Sequence, residues 1–504
     1  HTPGYIDWMV ENLKPGSKVG TDYHLISVKQ ANQIKAALKP RELLLKDVAD
    51  LSVGIWQNRP MHPKRKIVEQ PIAFAGKSRA DKLKKLEKQL KKRGCTHHLL
   101  TALDDLAWLF NLRGQDIEFN PVFVAYGLVS LDQACLFIDP AKLEPDLVGE
   151  LEQANIKLLP YESIRLELSK LKPNDHLYYD PATSSLSLIK HLPPSLASSQ
   201  GRSLVTELKA VKNETEIDGL RSVMQRDGVA MVQFLVWLED KLSHEKVTEV
   251  DAANALEEFR QRQSGFMGPS FGTIAGYGPN GAIVHYSAEE ATCATLQKEG
   301  IFLLDSGGQY QGGTTDITRT ICLGEEATNE QKVDFTRVLK GHIALARAIF
   351  PKGTAGHQLD ILARQPLWEN FQNFGHGTGH GVGHYLNVHE GPQRISPSAT
   401  ADYPLKPGML TSNEPGIYHE GQYGIRIENL VLCVGVAESE KFGNFLGFET
   451  LTLCPIDRKL IEPSLLSPEE KNWLNQYHQR VFTELVPGLD ETHQAWLAKA
   501  TEPV

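Results

Sequence analysis

Ile301-Phe302-Leu303-Leu304-Asp305-Ser306-Gly307-Gly308-Gln309-Tyr310-Gln311-Gly312-Gly313-Thr314-Thr315-Asp316-Ile317-Thr318-Arg319 reads as an apolar strand ending in a carboxylate, a glycine-rich turn, and a return segment carrying a second carboxylate. A later stretch repeats the design. Met409-Leu410-Thr411-Ser412-Asn413-Glu414 leads through Pro415 and a turn with Gly421-Gln422-Tyr423 into the return strand Ile425-Arg426-Ile427-Glu428. Both turns contain Gly-Gln-Tyr, so the pair predicts an internal duplication in which each half supplies two acids to one centre. Carboxylates on apolar strands are costly unless paired or metal-bound. The plainer alternative is that each acid caps a turn or pairs with Arg319 or Arg426.

Between the two stretches lies a histidine-rich segment, Phe374-Gly375-His376-Gly377-Thr378-Gly379-His380-Gly381-Val382-Gly383-His384-Tyr385-Leu386-Asn387-Val388-His389, which holds four of the 18 histidines. Its five alternating glycines rule out a helix of the His-Glu-x-x-His type and allow a close backbone approach. No Gly-Lys-Ser/Thr follows, which argues against a phosphate loop. Four carboxylates and one imidazole match two divalent cations, and an oxygen-rich set with a single His favours Mn²⁺, Co²⁺ or Fe²⁺ over structural zinc.

Outward from this region, 504 residues with 41% apolar and 23% charged side chains describe a globular chain of several domains. No run reaches the ~18 apolar residues of a membrane span, and a net charge of −9 argues against nucleic-acid binding. The charge is uneven: residues 1–213 carry 30 Lys/Arg against 24 Asp/Glu, and residues 214–504 carry 23 against 38. The six cysteines are scattered without a Cys-x-x-Cys pair, which fits a reducing, cytoplasmic setting. A first α/β segment, 1–66, ends in the basic Arg59–Lys66 run. A middle α/β domain, 67–205, has short strands expected at Val122–Ala125, Ala134–Ile138 and His176–Tyr179. A third domain, 206–504, has longer helices, including capped ones starting at Thr248, Thr328 and Ser467. The absence of a leading Met makes the first segment read as a truncated domain. Trp473, on the last of these helices, looks exposed and suited to a partner subunit.

The order Asp305, Asp316, His380, Glu414, Glu428, with Gly281-Ala282-Ile283-Val284-His285-Tyr286 upstream and Asn387-Val388-His389-Glu390-Gly391 downstream, resembles the pita-bread metallopeptidase family. Within it, the pattern is most similar to the long, three-domain aminopeptidases P, which act on Xaa-Pro bonds. Thr101–Gly114 also resembles their middle domain. The resemblance implies an α/β (α+β) fold: a pita-bread catalytic domain with a pseudo-twofold, preceded by two creatinase-N-like α/β domains, the first truncated. It makes Asp305, Asp316, His380, Glu414 and Glu428 the ligands of two divalent metals, manganese first, with cobalt, iron or zinc as alternatives. Glu414 is also the general base, and His285, His376 and His389 are catalytic histidines. His285 and His389 contact the peptide, while Arg426 and Tyr418 support substrate or ligands. The implied reaction is attack of a metal-bridging hydroxide on the Xaa-Pro bond of an Xaa-Pro-Yaa peptide, by a homodimer.

Three other readings compete with this one. Prolidase shares the ligand set but takes only dipeptides. A metal-free pita-bread binding module would lack the ligands, and all five are present. Gly268-Pro269-Ser270-Phe271-Gly272 matches the serine-hydrolase elbow, but strand and turn follow where a helix is required. His384, His342 and His357 read as structural. Phe266–Phe271 and Tyr385 are candidates for a proline pocket only by their nearness to the motifs.

Overall fold

The computed structural model describes residues 3–48 and 50–504. The chain divides into two compact units, one of His1–Pro71, Lys77–Ile117 and Val122–Leu208, the other of Ile72–Gly76, Glu118–Pro121 and Lys209–Val504. In the first unit a mixed sheet runs in the order Ala197–Gln200, His176–Tyr179, His97–Leu100, Tyr126–Ser130, Ala134–Phe137, Ile156–Leu159. Leu99, Leu128, Phe137 and Leu177 of this sheet pack with Ile164 and Leu168 of one helix and with Val28 and Ala31 of another. The strand expected at Val122–Ala125 lies instead at Tyr126–Ser130. Val122, Phe123 and Ala125 are buried, but the backbone there bonds to Asp116: its N–H donates to Val122 O, and Val124 N–H donates to its Oδ2.

The second unit is built twice from one plan. Helices α1 (Glu214–His244) and α2 (Glu249–Gln261) precede strands β1 (Ile274–Tyr277), β2 (Ile301–Ser306) and β3 (Ile317–Cys322). Helices α3 (Asn329–Ala346) and α4 (Gly356–Trp368) then precede β4 (Gly379–Gly381), β5 (Glu390–Ile395), β6 (Leu410–Asn413) and β7 (Asn429–Ser439). Capping boxes at Asn213, Thr248 and Thr328 start α1, α2 and α3. β2 lies between β1 and β3, and β6 lies between β4 and β7, all antiparallel. Each half inserts a small hairpin between its acid-bearing strands, Gly308–Tyr310 with Gly313–Thr314 and Gly416–His419 with Tyr423–Arg426.

The shared Gly-Gln-Tyr has a structural meaning. Tyr310 donates its hydroxyl to buried Asp227 on α1 (2.9 Å), and Tyr423 donates to buried Asp334 on α3 (3.0 Å). The duplicated tripeptide therefore ties each hairpin to the first helix of its own half.

One expected strand moves. The partner of β6 is Asn429 onward, with Asn413 opposite Asn429, and not Ile425–Glu428. Pro415 has no N–H and interrupts the ladder, Tyr423–Arg426 folds back on Gly416–His419, and Glu428 N–H donates to Thr318 O in the other half. Helix α5 (Pro468–Leu485) is capped by Ser467 as expected. Trp473, expected to be exposed, is half-buried and stacks on Tyr477 with ring centroids 5.4 Å apart.

Candidate metal centre

The four acids sit where strands end. Asp305 is the penultimate residue of β2 and Asp316 immediately precedes β3, while Glu414 follows β6 and Glu428 immediately precedes β7. His380 is the middle residue of β4, which pairs with β6 through Gly381 and Thr411. One ligand atom each from Asp316, His380 and Glu428 lies within 4.8 Å of the others. His380 Nε2 is 3.4 Å from Asp316 Oδ2 and 3.5 Å from Glu414 Oε1. The imidazole is oriented by its other nitrogen: Nδ1 meets Gly381 O at 3.0 Å, so it carries the proton and Nε2 offers its lone pair to the acids.

Arg426 Nη2 donates to Asp305 Oδ2 (2.7 Å), so the ion-pair alternative holds for this acid alone. Arg319 turns away from the acids and donates to Thr318 O, Glu428 O, Pro455 O and Cys454 O. Asp305 Oδ1 is buried and has no hydrogen-bond partner among the described residues. Burial first, then the neighbouring carboxylates, pushes Asp316 and Glu428 well above the usual carboxylate range. Burial raises Glu414 as well, against the pull of His380 and Arg426. An orphaned carboxylate oxygen, three acids driven upward and one imidazole lone pair facing them make a donor set suited to divalent cations.

Around the acids lies a second group. Arg426 Nη1 donates to the Tyr418 hydroxyl (2.7 Å), which meets His376 Nε2 at 2.8 Å. His376 Nδ1 lies 2.8 Å from Gly377 O and so carries the proton, which makes Tyr418 the donor to Nε2. Burial pushes Tyr418 up to about 12 and His376 down to about 4, so both are neutral near pH 7. His389 stands edge-on to His380 with ring centroids 4.1 Å apart, and burial lowers it to about 4. His285 is exposed at the site and bears electrostatically on both His376 and His389.

Sequence reasoning missed Thr318, which donates to Glu428 Oε2 (2.7 Å), and Ser412, which donates to Glu414 Oε1 (3.1 Å) and accepts from His380 N (3.0 Å). Each lies on a strand two residues from an acid just beyond that strand's end, and period-two counting would have found them. Also missed was the pair Asp360–Arg364 on α4: Arg364 donates to Phe374 O and His376 O, and Thr378 Oγ1 donates to Asp360. His342 and His384 are buried, His342 between Asn413 O and Asn429 and His384 against Gly219. Ser270 is buried with its hydroxyl on Thr315 O, and the chain continues into β1, so no serine elbow forms.

Fold and site together define a member of metallopeptidase family M24, which residues 218–434 match. Residues 58–216 match the creatinase/prolidase N-terminal domain, and residues 444–504 match the C-terminal region of peptidase M24. The chain belongs to this family, with a creatinase-type N-terminal domain before the pita-bread domain. It is similar over its full length to proteins named probable Xaa-Pro aminopeptidase P. The one from Laccaria bicolor is 41% identical over 517 residues, covering 100% of this chain and 80% of that protein. The one from Fusarium vanettenii is 42% identical over 531 residues, covering 100% and 84%. Among solved structures, the X-prolyl aminopeptidase from Caenorhabditis elegans, described as a cytosolic enzyme with a di-nuclear active site, matches with a TM-score of 0.94 and 36% identity over 100% of this chain and 84% of that one. The Xaa-Pro dipeptidase from Bacillus anthracis matches with a TM-score of 0.59 and 25% identity over 75% of this chain and 99% of that one.

Proposed function

We propose that this protein is a dinuclear metallo-aminopeptidase that releases the N-terminal residue from peptides with proline in second position. The observation that carries the reading is the cluster of buried Asp305, Asp316 and Glu428 with half-buried His380 and Glu414, in a chain similar throughout to Xaa-Pro aminopeptidases. These five side chains would hold two divalent cations, with Mn²⁺ favoured by four carboxylates and one imidazole. The bound metals supply a Lewis acid for the scissile carbonyl and a water of lowered pKa.

The chain's own groups do the rest. Glu414, its carboxylate steadied by Ser412, takes a proton from the attacking water and returns it to the proline nitrogen as that bond breaks. His285 and His389 donate hydrogen bonds to the peptide carbonyl and to the tetrahedral intermediate. Burial keeps His389 neutral, so it serves as a donor without taking the proton that Glu414 handles. Tyr418 and Arg426 link His376 to Asp305 and hold both in place. An Xaa-Pro bond is a tertiary amide with no N–H, so peptidases that rely on that donor lose it, whereas recognition here falls on the carbonyl.

No helix among the described residues is long and apolar enough to cross a membrane, and none of the six cysteines is in a disulfide. With the Caenorhabditis neighbour described as cytosolic, this supports a cytoplasmic enzyme, and we take it to be a homodimer, as light scattering would show.

A chain-length series tests the reading. Xaa-Pro-Yaa tripeptides should lose their first residue, with turnover abolished by a chelator and restored by Mn²⁺. Cleavage of Xaa-Pro dipeptides alone would make the protein a prolidase. Asp316→Ala should lower metal content and eliminate turnover together, and a fully active variant would remove Asp316 from the site.

A further inference from the structure

His285 sits on a stretch with little regular structure, between the short 3₁₀ turn at Gly278–Ala282 and Leu296. Its position is nevertheless fixed from below by one side chain. Glu249, the first residue of α2, is fully buried, and among the described residues it makes no ion pair. Its two oxygens instead accept from the whole of this stretch. Oε1 receives Tyr277 N–H (2.7 Å) and Asn280 Nδ2 (2.9 Å). Oε2 receives the Tyr286 hydroxyl (2.8 Å), Ala294 N–H (2.8 Å) and Asn280 Nδ2 (3.1 Å).

The anchor points bracket the histidine. Asn280 lies before it, Tyr286 directly after it, and Asn280 Nδ2 also reaches the Tyr286 hydroxyl at 3.0 Å. Tyr286 N–H closes a turn onto Ile283 O (3.0 Å), with His285 inside the turn. The far end is pinned by Glu249 N–H to Ala294 O and by Leu296 N–H to Val247 O. Burying an ionised carboxylate without a cation is expensive, and the helix N-terminus and these donors offset that cost only while the stretch is in place.

We propose that Glu249 is a positioning residue for the peptidase reaction: it holds the Gly278–Ala294 stretch so that His285 meets the scissile carbonyl. The inference rests on the role given above to His285. Glu249 acts through the histidine and touches no reacting atom.

The test is a double-mutant cycle on the metal-loaded enzyme with an Ala-Pro-Ala peptide. Glu249→Gln keeps the shape and one acceptor oxygen but replaces the other with an amide that cannot accept from Tyr286 and Ala294. It should lower kcat about 10- to 100-fold with KM within about threefold and metal content unchanged. His285→Ala should lower kcat by about 10²–10³. Combined, the two should fall no more than about threefold below His285→Ala alone, because both remove one positioned donor. Tyr286→Phe, which removes a single hydroxyl, should show the same non-additivity with a smaller loss and serves if Glu249→Gln does not fold. Losses that multiply, or a Glu249→Gln enzyme with wild-type kcat, would overturn the positioning role while leaving His285 in place. Full activity of His285→Ala would overturn both the role of His285 and this inference.

Discussion

Asp316 and Glu428 carry a heavy electrostatic burden, because each is buried beside the other and beside Asp305 and Glu414. Without cations the cluster lowers its energy by keeping protons on these carboxyls, which is why both are driven well above the usual carboxylate range. Cations bind the deprotonated forms, so loading displaces the protons these carboxyls still hold, and apparent affinity falls as pH falls. Calorimetric titration of metal-free protein with Mn²⁺ in two buffers of different ionisation enthalpy should therefore give different apparent heats, in the sense of net proton release. Equal heats would mean that the acids are already ionised without metal. The same linkage sets the sign for folding: in the metal-free protein the repulsion is a full penalty above the raised values, shrinks as pH falls below them, and is gone only below the ordinary carboxylate range. The principal acids were legible in the sequence because each breaks an apolar strand. Thr318 and Ser412, which only orient them, show no such contrast, and only their two-residue spacing from Asp316 and Glu414 marks them.

At the scale of elements, the glycines around His380 answer a packing problem. The sequence shows that the backbone must approach something closely, and the structure identifies it as neighbouring backbone. A Cβ at Gly379 would stand 2.0 Å from Ser412 O on β6, and one at Gly381 would stand 2.2 Å from Glu390 O on β5. The strand carrying His380 thus fits between β5 and β6 only without side chains on either side of the histidine. Gly375 differs: a Cβ there meets nothing within 4 Å. Gly379→Ala should cost about 1–3 kcal/mol or more and reduce metal content by displacing His380, whereas Gly375→Ala should leave the thermal midpoint and metal content near wild type. Equal behaviour of the two variants would show that the glycines serve turn flexibility instead. The misplaced return strand has the same origin. Ile425–Glu428 alternates as a strand should, but alternation cannot say which partner takes the ladder. Pro415 and the bond from Glu428 N–H to Thr318 O decide that, and the second of these exists only once both halves are folded together.

Across the whole molecule, the two halves of the catalytic unit share one core, and that core contains histidines whose charge state is a stability term. His342 on α3 and His478 on α5 are both fully buried, and burial pushes each down to about 3. In the unfolded chain a histidine titrates near 6.5. Their stabilisation is therefore complete above about pH 6.5 and is lost as pH falls toward about 3, because the unfolded chain takes up protons that the folded core refuses. Each histidine should cost about 2 kcal/mol between pH 7 and pH 5. The metal-free acid cluster works in the opposite direction over part of this range, so the total pH dependence of the wild type does not isolate either contribution. A variant does. His478 Nε2 accepts from Ile456 N–H at 3.1 Å, and a glutamine oxygen can accept the same bond. Denaturant unfolding of His478→Gln should then show a pH 7-to-5 loss smaller than the wild type's by about 2 kcal/mol, with metal or without it, because His478 lies on α5 and outside the acid cluster. An unchanged pH dependence would mean that His478 is already protonated in the folded protein, and the core around Arg319, Ile456 and Tyr477 would then have to accommodate a charge beside a buried guanidinium.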